Sequence, residues 1–250
     1  MPISVIVNGA YGKMGSLACE TLKKDPNFKL VATLGRDDDL YEAIHQHEAK
    51  VVVDLTRADS VFENSLKIIK AGACPVIGTS GLLEEQIQVL KEQCELKKLG
   101  GIIVPNFSIG AILMMRFAKI AAAFLPEVEI IEYHHQQKLD APSGTAMKTA
   151  DMIAKSRAEG RNELALKELI PGARGGVEQN IHIHAVRLPG FIARQDIIFG
   201  ALGETLTLSH NSIDRISFMP GLVLACNKVT KLDSLYYGLE SLLEEYYPAG

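Results

Sequence analysis

Short apolar runs alternate with amphipathic stretches over the first hundred residues. Runs rich in β-branched residues predict strands over residues 3–7, 28–34, 51–55, 75–78 and 102–105. Helical periodicity between them predicts helices over residues 16–24, 60–71 and 83–97, the last with apolar residues at 83, 87, 90 and 94. Strands that alternate with helices in this way are typical of an open α/β sheet with helices on its faces.

The pattern changes after residue 112. We predict a helix over 112–124, a strand over 128–135, and a helix that follows Pro142, has Ser143 as its cap and extends to Lys155. Residues 157–176 are charged and then glycine-rich, and 171–176 are predicted to form a mobile loop. Glycine turns separate predicted strands over 180–188, 195–200 and 204–210, and apolar residues at 232, 235, 239, 242, 243 and 246 predict a last helix over 232–246.

The two patterns together predict an α/β fold with two domains. Residues 1–106 and 216–250 are expected to form a Rossmann-type dinucleotide-binding domain, to which the last helix returns. Residues 107–215 are expected to form a second, α+β domain with a mixed or antiparallel sheet that is covered by helices on one face.

Composition narrows the classes of partner. The chain has 250 residues, 47% of them hydrophobic, and a net charge of −4 with no long basic run, so we expect neither nucleic acid nor a membrane as a partner. The start of the chain resembles no signal peptide, which favours the cytoplasm. Four cysteines without paired spacing predict neither a disulfide framework nor a zinc site.

One segment, residues 132–146, concentrates groups that could carry chemistry. His134, His135 and Lys138 can supply protons and positive charge near neutral pH. The helix start at Ser143, Gly144 and Thr145 offers backbone N–H groups and hydroxyls to a carboxylate or phosphate. Each feature alone could be structural, since capped helices and hydrogen-bonded histidines are common, but together they indicate proton transfer to an anionic small molecule.

A glycine turn, Gly9-Ala10-Tyr11-Gly12-Lys13-Met14-Gly15, lies between the first strand and the first helix. This position favours a dinucleotide diphosphate site, although glycines also end strands for steric reasons. Ligands bind at the carboxyl ends of the strands in open α/β sheets. The predicted cofactor residues are therefore Gly9, Ala10, Tyr11, Gly12, Lys13, Met14, Arg36, Thr56, Gly78, Thr79, Ser80, Pro105, Asn106 and Phe107.

The pair His182 and His184 would lie on one face of a strand. Such a pair could hold a metal, but no third ligand stands at a recognisable spacing. We therefore predict no metal site and favour histidines at the sheet surface or at an interface.

The chain closely resembles the dihydrodipicolinate reductases. The resemblance rests on residues 9–15, 78–81, 106–110 and 129–146, in order, and the element His-His-x-x-Lys-x-Asp-Ala-Pro-Ser-Gly-Thr-Ala is highly specific to that family. It implies NAD(P)H-dependent reduction of a dicarboxylate, 4-hydroxy-tetrahydrodipicolinate, in diaminopimelate and lysine synthesis. It also implies a homotetramer assembled through the sheet of the second domain.

The resemblance also implies roles for individual residues. His134 would donate or accept the proton, Lys138 would be the companion donor, and His135 would contact the substrate. Gly144 and Thr145, with the cap Ser143, would bind a substrate carboxylate. Arg215 matches a family arginine near the cleft, for which the resemblance implies a role in securing the closed form.

Three departures from the family pattern matter. Leu34-Gly35-Arg36-Asp37 lacks an acid at the place where many members hold the adenosine ribose, so we expect NADPH to be preferred, with NADH possible through Asp37. Lys13 replaces the usual arginine of the glycine turn and loses its fork of donors. The predicted loop at residues 189–195 departs from the Gly-Glu-His sequence that the family has at this place.

Two other functions are compatible with parts of the sequence. A related dehydrogenase that acts on a different imine or amino acid would carry the same glycine turn, but residues 134–145 argue against it. A protein that binds NADPH as a sensor or scaffold would have no need of paired proton donors such as His134 and Lys138.

Overall fold

The structure is a computed structural model that describes residues 1–157 and 167–243. The chain forms two compact units, one comprising residues 1–109 and 218–250 and the other residues 110–217. Within the described residues, no helix combines the length and apolar character that crossing a bilayer requires.

The first unit is a six-stranded parallel sheet with helices. Its elements are β1 (Ile3–Asn8), α1 (Lys13–Lys24), β2 (Phe28–Leu34), α2 (Leu40–Gln46), β3 (Val51–Asp54), α3 (Val61–Lys70), β4 (Cys74–Ile77), α4 (Glu84–Lys97) and β5 (Gly101–Ile103), and, near the end of the chain, α7 (Met219–Val229), β11 (Leu235–Tyr237) and α8 (Glu240–Leu243). The strand order is β11-β5-β4-β3-β1-β2. Val51, Val52 and Val53 are fully buried, as expected for strands covered on both faces.

The second unit contains a mixed five-stranded sheet. Its elements are α5 (Ile109–Ala122), β6 (Glu127–His134), α6 (Gly144–Ala154), β7 (Gly176–Glu178), β8 (Ile181–Arg187), β9 (Ala193–Ala201), β10 (Glu204–Ser212) and a 3₁₀ turn (Arg215–Phe218). The order is β10-β9-β6-β8-β7, in which only β6 and β8 run parallel. Val128 and Ile130 of β6 are buried while the alternate positions are partly exposed, so this sheet has one covered face.

The α/β class and the mixed second sheet are confirmed, as are the predicted strands and helices up to residue 212, with ends that shift by a few residues. The predicted mobile loop over 171–176 ends in β7, and part of the predicted 157–176 segment lies outside the described residues. Two helices were missed, α2 and α7. The four cysteines are buried and form no disulfide.

The prediction of one helix over 232–246 is wrong. Leu235–Tyr237 instead form the edge strand β11, which pairs with β5. Gly238, with φ +86°, ends the strand, and a helix follows only at Glu240–Leu243. The apolar spacing reflected two consecutive elements, and the open edge of β5 selected the strand because its backbone groups needed partners. Residues 244–250 lie outside the described residues.

Candidate active site

The glycine turn after β1 has the geometry that a dinucleotide diphosphate requires. Gly9 has φ +82°, and a Cβ there would lie 2.4 Å from the carbonyl oxygen of Leu55. A Cβ at Gly15 would lie 2.1 Å from the carbonyl oxygen of Gly9, so only glycine lets α1 start so close to the turn. Gly12 caps α1 without a side-chain hydrogen bond, and the first turn of α1 carries no acid. The N–H groups at this helix start can therefore receive an anion.

A cavity of about 740 Å³ opens beside this turn. It is lined by Asn8, Gly9, Tyr11, Gly12, Gly35, Arg36, Asp38, Leu40, Leu55, Thr56, Arg57, Asp59, Ser60, Asn64 and Lys67. Five of the predicted cofactor residues, Gly9, Tyr11, Gly12, Arg36 and Thr56, lie in this lining. The cavity extends from the glycine turn to the carboxyl end of β2, and its size and its mixture of apolar surface with polar and charged side chains suit a dinucleotide.

The charged residues of the cavity lining are Arg36, which the sequence predicted, and Asp38, Arg57, Asp59 and Lys67, which it did not. The carboxylate of Asp38 accepts a hydrogen bond from Gly35 N at 2.7 Å, and Arg57 pairs with Asp59 at 3.3 Å. Among the residues that the structure describes, Arg36 and Lys67 have no carboxylate partner. This end of the cavity therefore has two cations available for an anionic group.

A buried carboxylate, Asp54, organises the ends of three strands. It is 0% exposed, and sequence reasoning did not assign it to the site. It accepts hydrogen bonds from Asn8 Nδ2 at 3.0 Å, Thr56 Oγ1 at 2.7 Å, Thr56 N at 3.2 Å, Asn64 Nδ2 at 3.0 Å and Thr79 Oγ1 at 2.6 Å. Its position at the carboxyl end of a buried strand, two residues before Thr56, was the available sequence signal.

The other predicted cofactor residues lie outside the lining of this cavity. The hydroxyl of Thr79 also accepts from Thr56 N at 2.8 Å. Phe107 is buried, and a Cβ at Gly78 would lie 2.6 Å from its ring. Asn106 accepts from Ser108 N at 2.8 Å. Ala10 is buried, Met14 is partly buried, and Lys13, Ser80 and Pro105 are exposed.

In the second unit, His134 ends β6 and is held by Glu132 on the same strand. Residues two apart share a face of a strand, and Glu132 Oε2 lies 2.5 Å from His134 Nδ1. Glu132 is 0% exposed, whereas the side chain of His134 is 15% exposed. The carboxylate thus fixes an imidazole that is still reachable from solvent.

Arg187 of β8 supplies the counter-charge. Its NH2 donates to Glu132 Oε1 at 2.8 Å and to the carbonyl oxygen of Asp140 at 2.7 Å. Burial raises the pKa of the Glu132 carboxyl, but the hydrogen bonds from His134 and Arg187 outweigh burial and leave that pKa below its usual value. Glu132 is therefore ionised at neutral pH.

Lys138 lies in the loop between β6 and α6. Its ammonium contacts both carboxylate oxygens of Asp140 at 2.8 Å, and its side chain is 22% exposed. The hydrogen bond from Lys138 lowers the pKa of Asp140. Because Arg187 binds the backbone of Asp140, the loop that carries Lys138 is tied to β8.

The start of α6 combines a cap with open space. Ser143 accepts from Ala146 N at 3.2 Å, the first turn has no acid, and a Cβ at Gly144 would meet no atom within 4 Å. Thr149 donates to the carbonyl oxygen of Thr145 at 2.7 Å and accepts from the buried Gln195 at 2.8 Å. Gln195, which belongs to β9 and not to a loop, thus links α6 to that strand.

His135 and Arg215 are placed differently from His134. Within the described residues, Nδ1 of His135 is buried and has no hydrogen-bond partner. Arg215 is partly exposed at the start of the 3₁₀ turn, away in sequence from the β6–α6 segment.

The histidines of β8 form hydrogen bonds with neighbouring groups. His184 Nε2 lies 2.9 Å from Glu129, which also pairs with Arg174, and His182 Nδ1 lies 2.8 Å from the carbonyl oxygen of Arg174. No group of three His, Cys, Asp or Glu side chains suited to a metal occurs within residues 1–157 and 167–243.

Comparison with known families covers both units. The family model described as "Dihydrodipicolinate reductase, N-terminus" matches residues 3–107, and the model described as "Dihydrodipicolinate reductase, C-terminus" matches residues 110–243.

Individual proteins match over almost the full length. The 4-hydroxy-tetrahydrodipicolinate reductase of Legionella pneumophila (strain Corby) is 63% identical over 97% of this chain and 100% of its own length, and that of Coxiella burnetii (strain Dugway 5J108-111) is 52% identical with the same coverage. Among solved structures, dipicolinate-bound dihydrodipicolinate reductase from Paenisporosarcina sp. TG-14 has a TM-score of 0.88 at 44% identity, covering 96% of this chain and 99% of that one.

Proposed function

The chain belongs to the dihydrodipicolinate reductase family, and from this premise we propose that it reduces 4-hydroxy-tetrahydrodipicolinate to tetrahydrodipicolinate with NAD(P)H. The reaction belongs to diaminopimelate and lysine biosynthesis, and we place it in the cytoplasm. The observation that carries the proposal is the buried Glu132 that holds His134, because ten residues later the same segment offers the open helix start at Gly144, so that one segment supplies a proton donor and a candidate carboxylate site.

The first unit would hold the dinucleotide. Gly9 and Gly12 leave space for the diphosphate at the start of α1, and Thr56 and the loops at 78–80 and 105–107 would approach the ribose and nicotinamide. The nicotinamide supplies the hydride, and the protein supplies alignment and charge. Asp54 keeps the hydroxyls of Thr56 and Thr79 in fixed positions.

We propose that NADPH is preferred over NADH. Arg36 and Lys67 line the cavity without carboxylate partners among the described residues, and either can pair with a 2′-phosphate. The carboxylate of Asp38 already accepts a hydrogen bond from Gly35 N at the end of β2. NADH remains a usable cofactor because the diphosphate site does not depend on the 2′-phosphate.

The second unit would hold the substrate. The N–H groups of the first turn of α6, with Ser143, Gly144 and Thr145, would bind one carboxylate, and His135 and Arg215 would contribute further donors. Hydride addition to the conjugated imine of the substrate leaves an enamine carbon that must be protonated. His134 and Lys138 would donate this proton.

Homotetramer formation is a further part of the proposal. The face of the second sheet opposite Val128 and Ile130 carries Ile131, Tyr133 and Ile198, which are partly exposed. A partly apolar sheet face of this kind suits burial against other copies of the chain. Sedimentation velocity of the full chain measures the assembly directly.

The experiment that tests the activity follows oxidation of NADPH and of NADH with enzymatically generated 4-hydroxy-tetrahydrodipicolinate. Wild type should oxidise both, and His134→Gln should lose about 10²-fold or more of kcat while binding NADPH with unchanged affinity. His47→Gln, an exposed histidine of the first unit, is the matched control and should retain activity. A His134→Gln enzyme with most of its turnover would refute the role of His134.

A further inference from the structure

We infer that Glu132 and Arg187 are positioning residues: they set which ring nitrogen of His134 carries the proton, and they fix the position of His134 relative to Lys138. This inference deepens the proposed function and rests on it. Arg187 lies outside the segments on which the family resemblance rests, 55 positions away from Glu132 in the sequence.

The direction of the hydrogen bond between Glu132 and His134 follows from the charge on Glu132. The carboxyl has a lowered pKa and already accepts from Arg187, so at neutral pH it can only accept from the imidazole. Nδ1 of His134 must therefore carry a proton, which leaves Nε2 as the atom that exchanges a proton with the substrate.

The proton transfer then balances without any change at Glu132. The Nε2–H bond of the imidazolium breaks, its electron pair stays on Nε2, and a C–H bond forms at the substrate carbon. The imidazole that remains is neutral and protonated on Nδ1, which is the tautomer that the carboxylate of Glu132 stabilises. The carboxylate also stabilises the imidazolium, so the contribution of Glu132 is to fix the tautomer and the orientation of the His134 ring during the transfer rather than to strengthen His134 as an acid.

Arg187 connects this pair to the second proton donor. One guanidinium nitrogen contacts both Glu132 Oε1 and the carbonyl oxygen of Asp140, whose carboxylate holds the Lys138 ammonium. Strand β8 thereby fixes the spacing between the end of β6 and the loop that follows it. Errors of about 1 Å in such spacing can cost about 10²-fold in rate.

Strand β6, which carries Glu132, also offers a matched control. Glu129 also pairs with an arginine, Arg174, and a histidine, His184, but it lies three positions from Glu132 and so points to the other face. Glu129 is 29% exposed, whereas Glu132 is 0% exposed. Glu129→Gln makes the same chemical change outside the site that we propose.

The test is Glu132→Gln in the full chain. Arg187 can only donate, so it should take the amide oxygen and turn the amide NH₂ toward His134 Nδ1, which must then accept. The neutral imidazole of His134 should therefore move its proton to Nε2. Long-range ¹H–¹⁵N spectra of the imidazoles, assigned with His134→Gln, report this tautomer in wild type and in the variant.

The kinetic expectation is a fall of about 10²-fold in kcat, with KM and NADPH affinity within about threefold of wild type. Glu129→Gln should leave both the rate and the His134 tautomer unchanged. Arg187→Lys, which keeps the charge but loses the fork of donors, should keep the Nδ1–H tautomer and lower kcat by about tenfold.

The outcomes separate the two proposals. A wild-type His134 that is protonated on Nε2 at high pH, or a Glu132→Gln enzyme with wild-type kcat, would overturn the inference. Wild-type protein that has the Nδ1–H tautomer but does not oxidise NADPH with the substrate would overturn the proposed function instead. If Glu132→Gln does not fold, the wild-type tautomer and the Arg187→Lys kinetics still decide.

Discussion

The hydroxyl of Thr79 donates to the buried carboxylate of Asp54 across 2.6 Å, which joins the ends of two neighbouring parallel strands. The same carboxylate binds Thr56 and Asn64, so it acts as a hub beneath the dinucleotide cavity. Burying a charge without a cation is costly unless several donors satisfy it, and here they do.

Asp54→Asn should lower both stability and cofactor affinity. The new NH₂ group would face hydroxyl and amide donors, so some hydrogen bonds must be lost in a buried place. We expect the free energy of unfolding to fall by about 2–3 kcal/mol and the Kd for NADPH to rise by about tenfold. Urea unfolding and fluorescence titration measure the two effects.

Glu20→Gln, on the exposed surface of α1, is the control for Asp54→Asn. It should change the free energy of unfolding by less than about 0.5 kcal/mol. An Asp54→Asn protein as stable as this control would show that the hub contributes little.

Arg36→Ala should reduce the preference for NADPH over NADH. Loss of a charge-assisted contact to the 2′-phosphate costs about 1.4 kcal/mol or more, so KM for NADPH should rise by about tenfold while KM for NADH stays the same. Lys29→Ala, near the other end of β2, should alter neither constant. Equal losses for both cofactors would place Arg36 at a part of the dinucleotide that NADPH and NADH share.

Gly144→Val should weaken substrate binding without unfolding the protein. A Cβ at this position meets no atom within 4 Å, so the fold can accept it, but the added side chain would occupy the space in front of the helix start. We expect KM for the substrate to rise by about tenfold or more, with NADPH affinity and thermal stability nearly unchanged. Unchanged substrate KM would remove the start of α6 from the binding site.

Acid should destabilise the second unit partly through Glu132. Its pKa is lowered in the folded protein from the ordinary value of 4.5, so the unfolded chain binds more protons and stability rises with pH in this range. The contribution is complete above about pH 4.5 and is lost as the pH falls through the folded pKa. Urea unfolding at several acidic pH values should give a shallower dependence for Glu132→Gln than for wild type. Identical slopes would contradict the pKa shift.

The sequence anticipated most of the elements because local patterns are sufficient for them. The short apolar runs at Val51–Asp54 and Cys74–Ile77 favour strands because helical patterns flank them, and Ser143 after Pro142 favours the start of a helix. The same local reading failed at Leu235–Tyr237, where the spacing of apolar residues suits either a helix or a strand and the free edge of β5 decided the outcome.

The sequence by itself determined the α/β class, the glycine turn at Gly9 and the density of chemical groups between His134 and Thr145. Only the tertiary structure decided which charges meet. Glu132 finds Arg187 because β6 and β8 pair in one particular parallel register, and Asp54 finds Asn8 because β1 and β3 do the same. Strand partners are chosen by the burial of whole faces, which depends on residues far apart in the chain, so no local pattern could have revealed these contacts.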